Sequence, residues 1–171
     1  MAPPVSKLSM DQQTDRDASL REVMSSYPTG VTIVAAREGE GEPFGLTVNS
    51  FTSLSLDPPL VLLCIGHSSA SHDRLIASKA FSVSLLAGDQ GAIADRFATD
   101  PSEGRFHELD WAAGLLGAPL IGGAMAWLEC SRHEVLAGGD HSILIGRVEH
   151  SVVTGRNALV YQRGRLSSLG G

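Results

Sequence analysis

Lysine is almost missing from these 171 residues: only Lys7 and Lys79 occur, and 13 Lys and Arg stand against 19 Asp and Glu, for a formal net charge of −6. A phosphate backbone is bound through clustered Lys and Arg, so this balance excludes nucleic acid as the expected partner. Cysteine is equally scarce. Cys64 lies in the apolar run Val61 to Ile65 and Cys130 ends Ala126-Trp127-Leu128-Glu129-Cys130. Both read as buried free thiols rather than a disulfide framework, which fits a reducing cytoplasm. No window approaches the ~20 apolar residues of a membrane-spanning helix, and the N-terminus lacks a basic start followed by an apolar core. The expectation is a soluble, cytoplasmic protein. Several chemical signatures are absent as well. Gly39, Gly41 and Gly45 are wrongly spaced for a dinucleotide fingerprint and precede no helix, and neither lysine follows a glycine as a Walker motif requires. Ser68 or Ser71 with His72, Asp73, Asp140 or His141 would supply hydrolase letters, but there is no Gly-x-Ser-x-Gly elbow. His67, His72, His141 and a single Cys130-x-x-His133 pair fall short of the two pairs of a structural zinc site, so no metal is expected.

What is present fits one domain of ordinary size. Residues 1–15 mix prolines, glutamines and charges without periodicity and read as a flexible tail, leaving 16–171 as the folded domain. Leu20, Val23, Met24 and Tyr27 repeat at helical spacing, with Ser19 and Glu22 placed for a capping box and Pro28 as the stop. Gly30 to Ala36 is a β-branched strand expected to pair antiparallel with the segment that begins at Gly45. Short helices are expected after Ser71 and near Asp89, and a half-buried strand over Ala80 to Leu86. Thr99 to Pro119 reads as a long polar loop. Two long strands, Ala124 to Leu136 and Ser142 to Thr154, precede short antiparallel strands from Asn157 to Leu166. Many strands, few helices and no regular βαβ alternation predict a mainly β, antiparallel barrel.

Gly45 to Val61, GLTVNSFTSLSLDPPLV, is the most unusual stretch. It is rich in Ser, Thr and Asn yet keeps Val48, Phe51, Leu54 and Leu56, which predicts one extended polar segment stopped by a Pro58-Pro59 corner. By composition it is a solvent-facing strand; its hydroxyls and amide also suit an anion such as phosphate.

Together with Tyr27-Pro28-Thr29-Gly30-Val31, Gly139-Asp140-His141 and the terminal Tyr161-x-x-Gly164, this stretch resembles the flavin reductase family, over roughly Leu20 to Leu166. The resemblance implies a flavin-binding split barrel, an antiparallel Greek-key barrel that forms a homodimer. It implies an NADH-dependent reductase that hands reduced FAD or FMN to a partner monooxygenase, with NADH preferred to NADPH. The alternative is a non-catalytic flavin-binding protein on the same barrel. Carried over by motif, Thr29, Thr47, Val48, Asn49, Ser50, Ser53, Leu54 and Ser55 should meet the flavin's ribityl and phosphate groups. Ser82, Ser84 and Leu85 should lie along the isoalloxazine edge, with Gly104, Arg105 and Phe106 in a loop beside it. His141 should contact the nicotinamide, and Tyr161 and Arg163 should wall the far side. Ser84 stands where the family often has Asn, and Leu166 where an aromatic is frequent. No catalytic side chain is expected, because hydride transfer asks the protein mainly to align two rings.

Overall fold

The computed structural model describes residues 19–101 and 104–170; the expected tail over 1–15 lies outside the described residues. The chain opens with α1 (Leu20–Ser25), β1 (Thr29–Gly30), β2 (Thr32–Ala36) and β3 (Phe44–Val48). It continues through β4 (Thr52–Leu56), β5 (Pro59–Gly66), α2 (His72–Ala77), β6 (Ala80–Leu85) and α3 (Gly91–Thr99). A small pair, β7 (Trp111–Ala113) and β8 (Pro119–Ile121), precedes the long strands β9 (Ala126–Gly138) and β10 (His141–Val153). β11 (Leu159–Gln162) and β12 (Arg165–Ser168) close the chain.

Seven strands form one antiparallel sheet in the order β3-β2-β6-β9-β10-β5-β4. Its two edges, β3 and β4, are separated in sequence only by residues 49–51. That link spans at most about 14 Å, whereas a flat seven-stranded sheet would hold its edges about 29 Å apart. The sheet must therefore curl until its edges approach, which makes it a barrel. The single polar segment predicted over 47–55 is thus corrected to two edge strands joined by a crossing at Asn49, Ser50 and Phe51. Much of its polarity serves that crossing. Thr47 Oγ1 donates to Ala94 O on α3 at 2.6 Å. Ser50 Oγ donates to Cys64 O at 2.9 Å and accepts from Cys64 N at 3.0 Å, so it pins the crossing to β5.

β2 is buried at every position, and its two faces belong to two cores. Val34 and Ala36 join Phe44, Leu63, Phe81 and Leu144 inside the barrel. Ile33 and Ala35 join Leu86, Phe97, Phe106 and Ile121 outside it, under α3 and the 104–121 segment. This second core corrects the expectation of a half-buried β6. The alternation of Phe81 and Val83 against Ser82 and Ser84 is there, but β8 covers the serine face and both serines are fully buried. Ser82 Oγ donates to Pro119 O, and Ser84 Oγ accepts from Ile121 N at 3.1 Å. The segment expected to be a loop therefore contains the β7–β8 hairpin, held down by β6 hydroxyls and by the buried carboxylate of Glu129, which accepts from Leu115 N and Leu116 N.

α1 forms where expected, with both halves of the Ser19/Glu22 capping box made. Its apolar stripe has no cover among the described residues: Leu20 is 77% exposed and Tyr27 63%. Ser71 precedes α2 but makes no side-chain cap; its hydroxyl donates to Gly45 O at 3.3 Å instead.

Cys64 and Cys130 are both free. Burial first, then the charges of Glu149 and Glu129, push the Cys130 thiol up to about 12. Because the thiolate is the nucleophile, Cys130 should resist alkylation in the native protein. A thiol titration at pH 8 is expected to count at most one group natively and two in denaturant; two fast native thiols would contradict this burial.

Candidate active site

One cleft gathers residues from three of the sequence motifs: the 27–31 lead-in, the polar stretch and the terminal Tyr161-x-x-Gly164. It has a volume of about 280 Å³ and is lined by Val31, Thr47, Asn49, Ala94, Tyr161 and Leu166, among others. Thr29 of β1 is not in the lining but stands next to it, opposite the lining residue Tyr161 of β11 in an antiparallel register. Thr29 Oγ1 is buried and has no hydrogen-bond partner among the described residues. A buried hydroxyl without a partner costs about 1–3 kcal/mol, so this atom marks a place where a polar ligand atom would be welcome. Arg163 sits in the β11–β12 turn with φ +49, next to Gly164 with φ +76, which lines the cleft. Two consecutive positive φ values match the tight hairpin turn whose twist suits its strands. Arg163 N donates to Ser25 O at 2.7 Å, so the turn is also tied to α1.

A second, adjoining cleft of about 150 Å³ shares Val31 and adds Phe51 and Leu85. Leu85 is the one predicted β6 residue whose side chain reaches a cleft. Val48, by contrast, is 4% exposed and belongs to the barrel core, where its carbonyl accepts from Thr32 Oγ1. A larger cavity, about 420 Å³, lies elsewhere and includes Asp89 and Arg156. Those two groups satisfy each other in a 2.6 Å ion pair, so it offers a ligand little that is unpaired.

His141 stands at the start of β10, opposite Gly66 of β5 and Gly138 of β9. Gly139, with φ +74, makes the preceding turn. The His141 ring lies over Gly66: a Cβ built there would be 3.5 Å from His141 Nε2. His141 Nδ1 donates to Asp140 Oδ1 at 2.7 Å, since a carboxylate can only accept. That bond, and then the histidine's charge, hold the Asp140 carboxyl below the usual carboxylate range. A depressed carboxylate adds stability above its unfolded-state pKa and loses it as pH falls through the lower folded-state value. The Asp140–His141 pairing therefore persists through neutral pH. Along β5, Gly66 is two residues from Cys64, which Ser50 grips, so the crossing segment and His141 meet the same strand.

The remaining predicted residues are placed otherwise. Arg105 is 9% exposed and its guanidinium is spent on backbone. Nη1 donates to Gly45 O at 2.7 Å, and Nε and Nη2 donate to Asp100 O at 3.0 and 2.5 Å. Desolvation lowers its pKa, with the charge of Asp100 opposing. Phe106 is a core residue, edge-on to Phe97 at 4.9 Å and to Trp111 at 5.8 Å. Gly104 takes φ +84, and its carbonyl accepts from Arg96 Nη2 at 2.9 Å. The side chains of Ser50, Ser82, Ser84, Arg105 and Phe106 thus serve the fold rather than a ligand. Ser53, Leu54 and Ser55 lie on the edge strand β4, where a register shift interrupts pairing and Leu54 is 46% exposed. Sequence reasoning missed Val31, Ala94 and Phe51 as cleft residues, because a wall of apolar side chains carries no local signal.

Comparison with known proteins fits this geometry. Residues 24–170 match the flavin reductase like domain. The chain is 48% identical over 133 residues to the NADH-dependent FAD reductase of Streptomyces globisporus, covering 75% of this chain and 72% of that protein. It is 41% identical over 145 residues to the reductase component of the flavin-dependent trigonelline monooxygenase of Acinetobacter baylyi, covering 85% of this chain and 46% of that one. Among solved structures, the Streptomyces globisporus NADH:FAD oxidoreductase SgcE6, in complex with NAD and FAD fragments, superposes with a TM-score of 0.82 at 43% identity. That match covers 88% of this chain and 91% of that one. The barrel, with its cleft and its Gly-Asp-His turn, is a split barrel of the flavin reductase type. The chain belongs to the flavin reductase like domain family. It spans about half to just under two thirds of the length of several curated relatives it matches.

Proposed function

We propose that this chain is an NADH-dependent flavin reductase that takes FAD or FMN into the cleft of Thr47, Asn49 and Tyr161 and releases it reduced to a partner monooxygenase. The observation that carries this reading is a cleft lined by Thr47, Asn49 and Tyr161, with the buried Thr29 hydroxyl, unpartnered among the described residues, on the strand paired to Tyr161. The lining fits a flavin. Val31, Ala94 and Leu166 offer an apolar wall, Tyr161 an aromatic one, and the Asn49 amide a polar rim. Thr47 serves as an acceptor only, its proton being committed to Ala94 O. Arg163, expected on the nicotinamide side, is next in the turn to Gly164 of this cleft, and we assign its guanidinium to the flavin phosphate instead. Bound flavin supplies the hydride acceptor, and nicotinamide the donor. The protein's part is to align the two. His141, held by Asp140, is assigned to the nicotinamide side, and the carboxylate of Asp140 beside it suits NADH better than a nucleotide bearing a 2′-phosphate.

The exposed stripe of α1, with Val152 and Val153 exposed by 58% and 75%, supports a homodimer in which a second copy covers apolar surface. Both free thiols suit a cytoplasmic setting, and among the described residues no helix is long and apolar enough to cross a membrane.

The test is steady-state nucleotide oxidation by the pure protein, with FAD and FMN as alternative acceptors and NADH and NADPH as alternative donors. NADH consumption that requires both protein and flavin is expected, from a particle of about twice the 18.0 kDa chain mass by light scattering. Flavin binding without NADH consumption would identify a carrier instead.

A further inference from the structure

Beyond the cleft, a group of titratable side chains joins α2 to the start of β10. His72 is 7% exposed and Ser142 is 8% exposed. Ser142 Oγ lies 2.9 Å from His72 Nε2 and 3.3 Å from His67 Nε2, and the two imidazoles meet edge-on at 4.9 Å. His72 Nδ1 is 2.7 Å from Asp73 Oδ1.

These partners order the protons. The Asp73 carboxylate can only accept, so His72 carries its proton on Nδ1, and in the neutral ring Nε2 is the acceptor. Ser142 then donates to His72 Nε2, and its oxygen accepts from His67 Nε2–H. Every hydrogen bond is satisfied in one direction only, from His67 through Ser142 and His72 to Asp73. The letters are those of a hydrolase triad, but the arrangement is not one. Ser142 is paired within the sheet to Ile65 and Ala137, its hydroxyl is shared by two imidazoles, and Asp73 is exposed.

What the network holds is the turn bearing His141. Ser142 is its neighbour in β10, and His67 N donates to Asp140 O at 3.0 Å. Gly66, adjacent to His67, is the residue over which the His141 ring lies. We infer that Ser142, with His67 and His72, forms a positioning network for the nicotinamide side of the reaction, fixing the Asp140–His141 turn against β5 so that His141 is presented in one orientation. The inference rests on the assignment of His141 to the nicotinamide. It assigns to residues outside the cleft a control over NADH use that is separate from flavin binding.

Four variants test it: Ser142→Ala, Ser142→Thr, His141→Ala and the double Ser142→Ala/His141→Ala. The readouts are NADH KM, kcat, flavin affinity and melting temperature. Ser142→Ala is expected to raise the NADH KM about three- to tenfold, the loss expected of one or two hydrogen bonds, while kcat and flavin affinity stay within about twofold. Ser142→Thr, which keeps the hydroxyl, should recover most of the loss. Because Ser142 acts through His141, the double variant should be no worse in KM than His141→Ala alone. Should Ser142→Ala fold poorly, His67→Ala changes an exposed residue of the same network and should raise KM in the same direction. An unchanged KM in Ser142→Ala or His67→Ala, an additive double variant, or equal losses for NADH and flavin would overturn the network while leaving His141's own role intact. An unchanged KM together with an unchanged kcat in His141→Ala would instead remove the assignment on which the network rests, and the network with it.

Discussion

Replacing Arg105 with alanine is expected to lower the melting temperature by roughly 6–12 °C, with flavin affinity at a temperature where the variant is folded changed little. The guanidinium ties together two carbonyls from different elements: Asp100 O, at the C-cap of α3, and Gly45 O, in β3. Cations are favoured at a helix C-terminus, and hydrogen bonds from a charged donor are the strong ones. Losing this fork in a buried setting costs about 3 kcal/mol. Gly45 has no room to adjust, because a Cβ there would stand 2.5 Å from Val34 O. Arg105→Lys should recover less than half of the loss, since a single ammonium cannot span both carbonyls. If Arg105 instead served a ligand phosphate, alanine would weaken flavin binding with the melting temperature unmoved, and lysine would restore it.

The second large effect separates the two ligands. His141→Ala should raise the NADH KM or lower turnover by between a few-fold and about a hundredfold, the range for one lost hydrogen bond of ~0.5–3 kcal/mol. Flavin affinity should barely change. Thr29→Val should do the reverse. It keeps the β-branched shape that pairs with Tyr161 and removes only the buried hydroxyl. Ser50→Ala is not the right partner for this comparison, because Ser50 bonds both backbone groups of Cys64 and its loss would loosen the β3–β4 crossing itself. Flavin titration by fluorescence beside NADH kinetics makes the measurement. Parallel losses for both ligands in both variants would contradict the division.

Much of this architecture is written in local pattern. The β-branched run at Thr32–Ala36, the Ser19/Glu22 box and the long β9–β10 hairpin all follow from periodicity and capping, which depend on near neighbours. What local pattern hides is cover. Ser82 and Ser84 have the spacing of a solvent face, and only the β7–β8 hairpin, some 37 residues away, makes them buried donors and acceptors. Leu20, Val23 and Met24 have the spacing of a core face, yet nothing among the described residues covers them. The break at Asn49–Phe51 was invisible for the same reason. The residues there are strand-compatible, and the crossing exists because the barrel's edges meet.

Where a residue's place is set by its own turn or strand, as for His141 beside Gly139 or Thr29 opposite Tyr161, the position was legible, and the ligand role rests on the proposed function. Polarity in the sequence is not by itself availability. Arg105 and Ser50 look like ligand groups in sequence and are consumed by backbone carbonyls and an amide in the fold. The Ser142 network shows the converse. His67, His72 and Ser142 are 75 residues apart at their widest and signal nothing together until β5, α2 and β10 converge.

The most direct test of the central claim is rapid anaerobic mixing of NADH with the protein carrying an equivalent of flavin, followed by the visible absorbance of oxidised flavin. The account predicts that the absorbance bleaches in a phase whose rate saturates with NADH, and that Thr29→Val and His141→Ala impair it through flavin binding and NADH dependence respectively. Bleaching no faster than in a protein-free mixture of NADH and flavin would contradict it.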